Sequence, residues 1–300
     1  MLDTQIAKIK EIVGADNSVE GEIMAPHMSM KVGGAADLFV TPDDRKKLAD
    51  LVRYLNENNI PYYVLGNGSN VIIRDEGYRG VIICTKDRMN SANVDGNTII
   101  ADAGISLKDI AEMACGASLT GFEFASGIPG SLGGAVTMNA GAYDGEMKDV
   151  LKLVEAIDRS GRVITFAAED ADLSYRHSIF SDGDYIITGA VIGLEEGDKD
   201  AIRAKMEDLN SRRAEKQPLE HPSCGSTFKR PEGYYAGKLI MDAGLAGARV
   251  GGASVSEKHC GFVVNDRGGS AEDVLGVISM VKETVKEKFG VELECEVRVL

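Results

Sequence analysis

The segment from Gly121 to Gly145, GFEFASGIPGSLGGAVTMNAGAYDG, constrains this chain more than any other. Glycine and alanine at this density give up side-chain packing and raise the entropy cost of ordering the backbone. Such a run is used where main chain must lie close to something. The neighbour is either another backbone or a flat or anionic ligand met by converging N–H groups. A shorter run of the same kind, Gly66-Asn67-Gly68-Ser69-Asn70, falls between the strand candidates 62–65 and 71–73. It reads either as an anion-cradling nest or as a tight turn satisfied by its own Asn and Gly residues.

Around these runs the pattern mixes both periods. Leu2, Ile6, Ile9 and Val13 recur at helical spacing before Gly14. A short strand, 36–40, precedes a helix opened by Asp43 or Asp44, with Leu48, Leu51, Val52 and Leu55 on one face. Residues 81–84 and 99–102 read as strands, and Ser106 as the cap of a helix through Ala117. Residues 151–158 and 162–166 read as a hairpin across Arg159-Ser160-Gly161, and 185–194 as a further strand. An amphipathic helix over 198–216 buries Ile202, Met206 and Leu209, then gives way to a loop rich in Pro, Cys, Gly and Ser. Ser270 with Asp273 predicts a capped helix carrying Val274, Ile278, Val281 and Val285. The closing VELECEVRVL alternates as a strand would. Val291, Leu293, Cys295, Val297 and Val299 share one face; Glu292, Glu294, Glu296 and Arg298 share the other. The fold class is α+β (mixed α/β) with antiparallel hairpins, without the strand–GxGxxG–helix opening of a dinucleotide-binding fold.

A formal net charge of −14 disfavours phosphate backbones and anionic membranes as partners. No apolar run approaches the roughly 20 residues of a membrane span, and the N-terminus has no signal-peptide core. Five scattered cysteines without a C-x-x-C, and four histidines without ligand spacing, speak for reduced thiols and against a metal site. The expectation is a cytoplasmic protein, monomer or weak dimer, acting on small molecules.

Three further segments could carry chemistry. Arg176, in Ser174-Tyr175-Arg176-His177-Ser178, could bind an anion or serve an ordinary surface ion pair. Pro222–Pro231 offers the Cys224 thiol and the Ser226 hydroxyl two residues apart, with His221 as the local base, or is simply a linker. Glu296 and Arg298 lie on the polar face of the last segment, which could equally be a solvated surface.

Taken in order, SMKVGGAADLFV, VLGNGSNVIIRD, GFEFASGIPGSLGGAVTMNAGAY, LSYRHSIF, HPSCGSTFKRP, AGKLIMDAGLAGARVGGASVSEKHCGFVVN and ECEVRV resemble the UDP-N-acetylenolpyruvoylglucosamine reductase (MurB) family, short type, through nearly the whole chain. The resemblance implies three domains. Residues 1–85 and 86–200 would form an FAD-binding unit of the PCMH or vanillyl-alcohol-oxidase type, and residues 201–300 a substrate domain. It implies FAD and NADPH as cofactors. FAD would be lined by Gly66, Asn67, Gly68, Ser69 and Asn70, and by Gly127, Ile128, Pro129, Gly130, Ser131, Gly133, Gly134, Ala135 and Asn139. Arg176, Ser226 and Glu296 match the family's catalytic motifs; Tyr175, Lys216, Lys238, Asn265 and Arg298 would touch substrate.

The implied reaction passes a hydride from NADPH to flavin N5 and then to C3 of the enolpyruvyl ether of UDP-GlcNAc-enolpyruvate. Ser226 would protonate C2, giving UDP-N-acetylmuramate for peptidoglycan. Arg176 and Glu296 would steady the charge that develops on the enolate, Glu296 needing a proton or tight hydrogen bonds to do so. The sequence departs from the family pattern at Ala35, at His27-Met28-Ser29 and at Asp144, where glycine is usual. Two rival readings make distinct predictions. A flavin oxidase would reoxidise in air without any UDP-sugar, and a non-catalytic nucleotide-sugar-binding module would be colourless.

Overall fold

Asp44 sits in extended conformation and its carboxylate accepts the Lys47 N–H at 2.7 Å, so the helix Arg45–Glu57 begins where its cap allows. The computed structural model describes residues 1–300. Backbone contacts divide them into two units, neither continuous in sequence: Met1–Gly21, Asp37–Asn67 and Arg79–Arg212 form the larger, Glu22–Ala36, Gly68–Tyr78 and Arg213–Leu300 the smaller.

In the larger unit, Leu48, Leu51, Val52 and Leu55 are fully buried against a four-stranded sheet. Its order is Ser18–Glu20, Ala36–Val40, Tyr78–Cys84, Tyr62–Leu65, and the last two strands run parallel. A second sheet, antiparallel, has the order Val163–Ala167, Leu151–Asp158, Tyr185–Gly193, Thr98–Asp102, Ala92–Asp95. Alternate residues on its inner face, including Val154, Ala156, Ala190, Ile192, Ile99 and Ala101, form a separate apolar cluster with the helix Leu107–Gly116. Ser106 caps that helix as expected. Arg45 links the two sheets' layers, donating to Glu155 at 2.6 Å and to Asp102 at 2.9 Å.

The glycine-dense segment is not an open loop. Leu132–Thr137 forms one and a half turns of helix whose Leu132, Ala135 and Val136 join the second cluster. A two-stranded hairpin, Gly141–Ala142 with Gly145–Glu146, closes the segment.

In the smaller unit a three-stranded antiparallel sheet, Arg249–Val250, Ala253–Val255 and Val263–Val264, is covered by the helix Ala271–Phe289. Ser270 caps it, and Asp75 adds a second cap from a distant segment, its carboxylate accepting the N–H groups of Ala271 and Glu272. Met30, Val32 and Ile72 join the same apolar cluster.

The expected C-terminal strand is a correction. Only Arg298–Val299 pairs as a strand, parallel to Val71–Ile72, and Cys295 makes a single bridge to Phe228. The alternation survives in part: Leu293 and Val297 are buried, but Val299 points to solvent. Residues 291–293 pair with no strand; from residue 294 the segment lies antiparallel to residues 227–229, the Lys229 N–H on the Glu294 carbonyl and the Glu296 N–H on the Thr227 carbonyl, each at 2.9 Å. Glu292 and Glu294 instead pair with Lys286 and Lys229.

Candidate active site

In the larger unit the two glycine runs meet. A Cβ on Gly66 would come within 2.0 Å of Ser131 Oγ and 3.1 Å of its Cβ, so a side chain here would force the Ser131 hydroxyl to turn away. Gly133 is crowded in the same way, by Ala103, whose carbonyl accepts the Gly133 N–H at 2.8 Å. Gly130 and Gly134 differ. A Cβ at either would find only ordinary contacts beyond 3.5 Å, neither has a positive φ, and Gly134 lies within a helix, where glycine is unfavourable. Nothing in the protein explains their missing side chains, and that fits a flat group laid against this backbone. The remaining members of the run, Gly127, Ile128 and Pro129, are partly to fully exposed, while Ala135 is buried with the helix.

Asn139, 1% exposed and at φ +41°, is a bracket. Its amide donates to Glu146 Oε2 at 2.6 Å and to the Ser174 carbonyl at 3.2 Å, and its Oδ1 accepts the Lys148 N–H. Ser178 and Ser181 both donate to the Thr137 carbonyl. The loop bearing Tyr175 and Arg176 is thereby fastened to the end of the glycine-dense segment. Arg176 itself is half-buried at φ +56°, its guanidinium 5.1 Å from the centre of the exposed Tyr175 ring. Glu146 lies within electrostatic reach. Its carboxyl is held below the usual range by a hydrogen bond from Lys148, against the opposing effect of burial, with help from Asn139 and from the charge of Arg176. Sequence reasoning missed Glu146; no periodicity marks a single acid in a hairpin.

The unit boundary falls inside the GNGSN run, after Asn67. In the smaller unit, Gly68 at φ +63° has the His27 carbonyl 2.3 Å from where a Cβ would stand. Ser69 is half-buried beside it. Asn70 reaches the closing segment: its side-chain amide donates to the Glu296 carbonyl at 3.2 Å.

The Ser226 turn is stapled on both sides. Ser223 bridges Val264, and Thr227, 2% exposed, donates its N–H to Gly261 while its hydroxyl accepts the Val263 N–H. Ser226 is exposed, whereas Cys224 is turned inward, its thiol on the Val71 carbonyl and its pKa pushed up to about 12 by burial. The Glu296 N–H donates to the Thr227 carbonyl at 2.9 Å. Ser226 and Glu296 are therefore neighbours through backbone within one unit, while Arg176 belongs to the other.

Among the expected substrate contacts, Arg298 is half-buried two residues beyond Glu296, and Lys216 is exposed in the last turn of its helix. Lys238 is paired with Asp242 one helical turn on. Asn265 is 4% exposed, and its amide and carbonyl are taken up by Met30 and Gly269 backbone, so it holds loops in place. No cluster of three or more His, Cys, Asp or Glu side chains could hold a metal ion, and no helix is long and apolar enough to cross a membrane.

A family model described as an FAD binding domain matches residues 36–167, and one described as the C-terminal domain of UDP-N-acetylenolpyruvoylglucosamine reductase matches residues 217–300. The reductase of that name from Clostridium novyi (strain NT) is 50% identical over 98% of this chain and 95% of its own. That from Caldanaerobacter subterraneus subsp. tengcongensis is 48% identical over 100% of this chain and 99% of its own. This chain belongs to the UDP-N-acetylenolpyruvoylglucosamine reductase family. The crystal structure of the Thermus caldophilus MurB enzyme agrees, with 34% identity and a TM-score of 0.81 over 94% of this chain and 97% of that one. A glucose dehydrogenase, Phl p 4.0202, shares the fold alone, at 13% identity and TM-score 0.53 over 66% of this chain and 45% of its own. The family membership and the matched FAD domain make the chain an FAD-dependent oxidoreductase, with a PCMH-type cofactor fold and a C-terminal α+β domain.

Proposed function

We propose that this chain reduces the enolpyruvyl ether of UDP-GlcNAc-enolpyruvate to UDP-N-acetylmuramate with NADPH, a step of peptidoglycan synthesis, through Arg176, Ser226 and Glu296. The observation that carries the assignment is the Ser226 turn: an exposed hydroxyl at a doubly stapled position, with the rival thiol turned inward and Glu296 bonded to the next residue. Gly66, Asn67, Gly68 and Ser69, with residues 127–135, would hold FAD; the unexplained absence of side chains at Gly130 and Gly134 supports this. Bound FAD supplies hydride chemistry, which no side chain of this chain can supply.

The chain's own residues do the rest. Arg176 pairs with the enolpyruvyl carboxylate and stabilises the charge that grows there more in the transition state than in the ground state. Ser226 delivers a proton to C2 as general acid. Glu296 shares the polarised carboxylate, and Arg298, Tyr175 and Lys216 hold the remaining polar groups of the substrate. We further read the larger unit as two subdomains meeting near residues 85–86; one apolar cluster lies wholly beyond that point, and the other is drawn mostly from before it, with Met89, Ile157 and Ile186 joining from the second. The enzyme would work in the cytoplasm as a monomer or weak dimer.

Replacing Ser226 by Ala tests the assignment. Bleaching of the flavin by NADPH persists in S226A, while reoxidation by the enolpyruvyl substrate slows at least ~10²-fold, the usual loss for one proton-transfer group. Equal slowing of both half-reactions, or of neither, removes Ser226 from the role.

A further inference from the structure

We infer that Asn70 is a positioning residue for Glu296, working through the backbone of the closing segment. Asn70 grips that segment twice. Its side-chain amide donates to the Glu296 carbonyl at 3.2 Å, and its own carbonyl accepts the Arg298 N–H at 3.1 Å. From the other side the Glu296 N–H is bound to the Thr227 carbonyl at 2.9 Å. Both polar groups of the Glu296 backbone are therefore engaged, one by the neighbour of Ser226 and one by Asn70. Beyond that point the chains run parallel, Arg298 and Val299 opposite Val71 and Ile72, and Leu300 donates to the Ile72 carbonyl. Val297, 5% exposed, pins the segment between the two grips.

The residue type matters. The parallel pairing begins at Arg298, which leaves the Glu296 carbonyl short of it. A side chain with an N–H donor and a reach of two carbons fills that gap. Asp would set a charge against a carbonyl oxygen, and Ser is too short. Asn70 closes the run Gly66–Asn70, so the piece of chain proposed to hold FAD also fixes the carboxylate-bearing residue.

The inference rests on Glu296 acting in the reduction, and the test separates the two. Asn70 belongs to the run proposed to hold FAD, so Asn70→Ala is compared at saturating FAD, one half-reaction against the other. Reoxidation by the enolpyruvyl substrate slows about 10- to 100-fold more than flavin bleaching by NADPH does, as expected when a reacting group is misplaced by about an ångström. The double variant N70A/E296A is no slower than E296A alone, because both changes remove the same function. Multiplying effects, or equal slowing of both half-reactions in FAD-saturated N70A, overturn the inference while leaving Glu296 its role. An E296A variant that reoxidises normally removes both. If N70A does not fold, Asn70→Ser keeps a small polar side chain without the reach, and the same outcomes apply to it.

Discussion

Gly134 and Gly66 separate two uses of glycine that composition cannot tell apart. At Gly134 the protein has room for a methyl group, and a helix favours alanine there by roughly 0.5–1 kcal/mol. Gly134→Ala is expected to raise the melting temperature of the FAD-free protein and to weaken FAD binding. Gly66→Ala, whose Cβ would meet Ser131 Oγ at 2.0 Å, is expected to lower the melting temperature with or without FAD. Melting curves and flavin titrations of both variants check this; tighter or unchanged FAD binding in G134A would place the cofactor elsewhere. The residues that carry the proposed chemistry were legible as motifs, but their environments were not. Whether Cys224 or Ser226 faced outward depends on Val71 and Val263, far away in sequence, and the Asn70–Glu296 contact spans 226 positions. No local pattern reports such distances.

Among the elements, those with their own start signals or a long period were the readable ones: Asp44, Ser106 and Ser270 each cap the helix expected of them, and Leu151–Asp158 forms its strand as read. The three strands of the smaller unit's sheet are two or three residues long, too short to show a period of two, and went unseen. The closing segment had the period, but its partners are short and change along its length, residues 227–229 on one stretch and Val71–Ile72 on the next. The hairpin Gly141–Ala142 with Gly145–Glu146 carries its own strain. Its two turn residues, Tyr143 and Asp144, both have positive φ, +53° and +66°, as a type I′ turn demands. Asparagine and glycine suit those positions; tyrosine does not, and aspartate only moderately. Asp144→Gly therefore relieves a left-handed residue at some cost in unfolded-chain entropy, for a net stabilisation of up to about 1 kcal/mol. Denaturant midpoints at constant slope measure it. Because Glu146, the next strand residue but one, accepts from Asn139, a loss of stability would mean that Asp144 has a partner role in this bracket.

Across the whole molecule, stability is bounded on two sides by different groups. Asp43, Asp50, Glu112, Glu146, Asp158, Asp266 and Glu292 are all held below the usual carboxylate range, mostly by hydrogen bonds from Lys or Arg, Asp158 by Ser160, and Asp266 to about 2 by Arg249. A carboxyl held low in the folded chain favours folding above its unfolded value, near about 4, and loses that advantage as pH falls through the folded value. His259, pushed down by burial, acts in the same direction from about pH 6.5. Most of these pairs are exposed and individually weak, so the acid decline is spread over several groups. The alkaline side is more concentrated. Burial pushes the Cys84 thiol up to about 11 and Cys224 to about 12, so the folded chain keeps both protons where an unfolded thiol would lose its own from about 8.5. Their contribution is complete below that value and is lost as pH climbs toward 11 to 12. The melting temperature is therefore expected to be flat between about pH 7 and 8 and to fall on either side. Cys224→Ala should flatten the alkaline fall while leaving the acid one unchanged, since the alanine has no proton to lose and the acid-side groups are untouched. Melting curves of parent and C224A across that range measure both limbs. Identical alkaline limbs would mean that the thiol is not held in the protonated state by burial, and that Cys224 is open to the reagents from which its position on the Val71 carbonyl shields it.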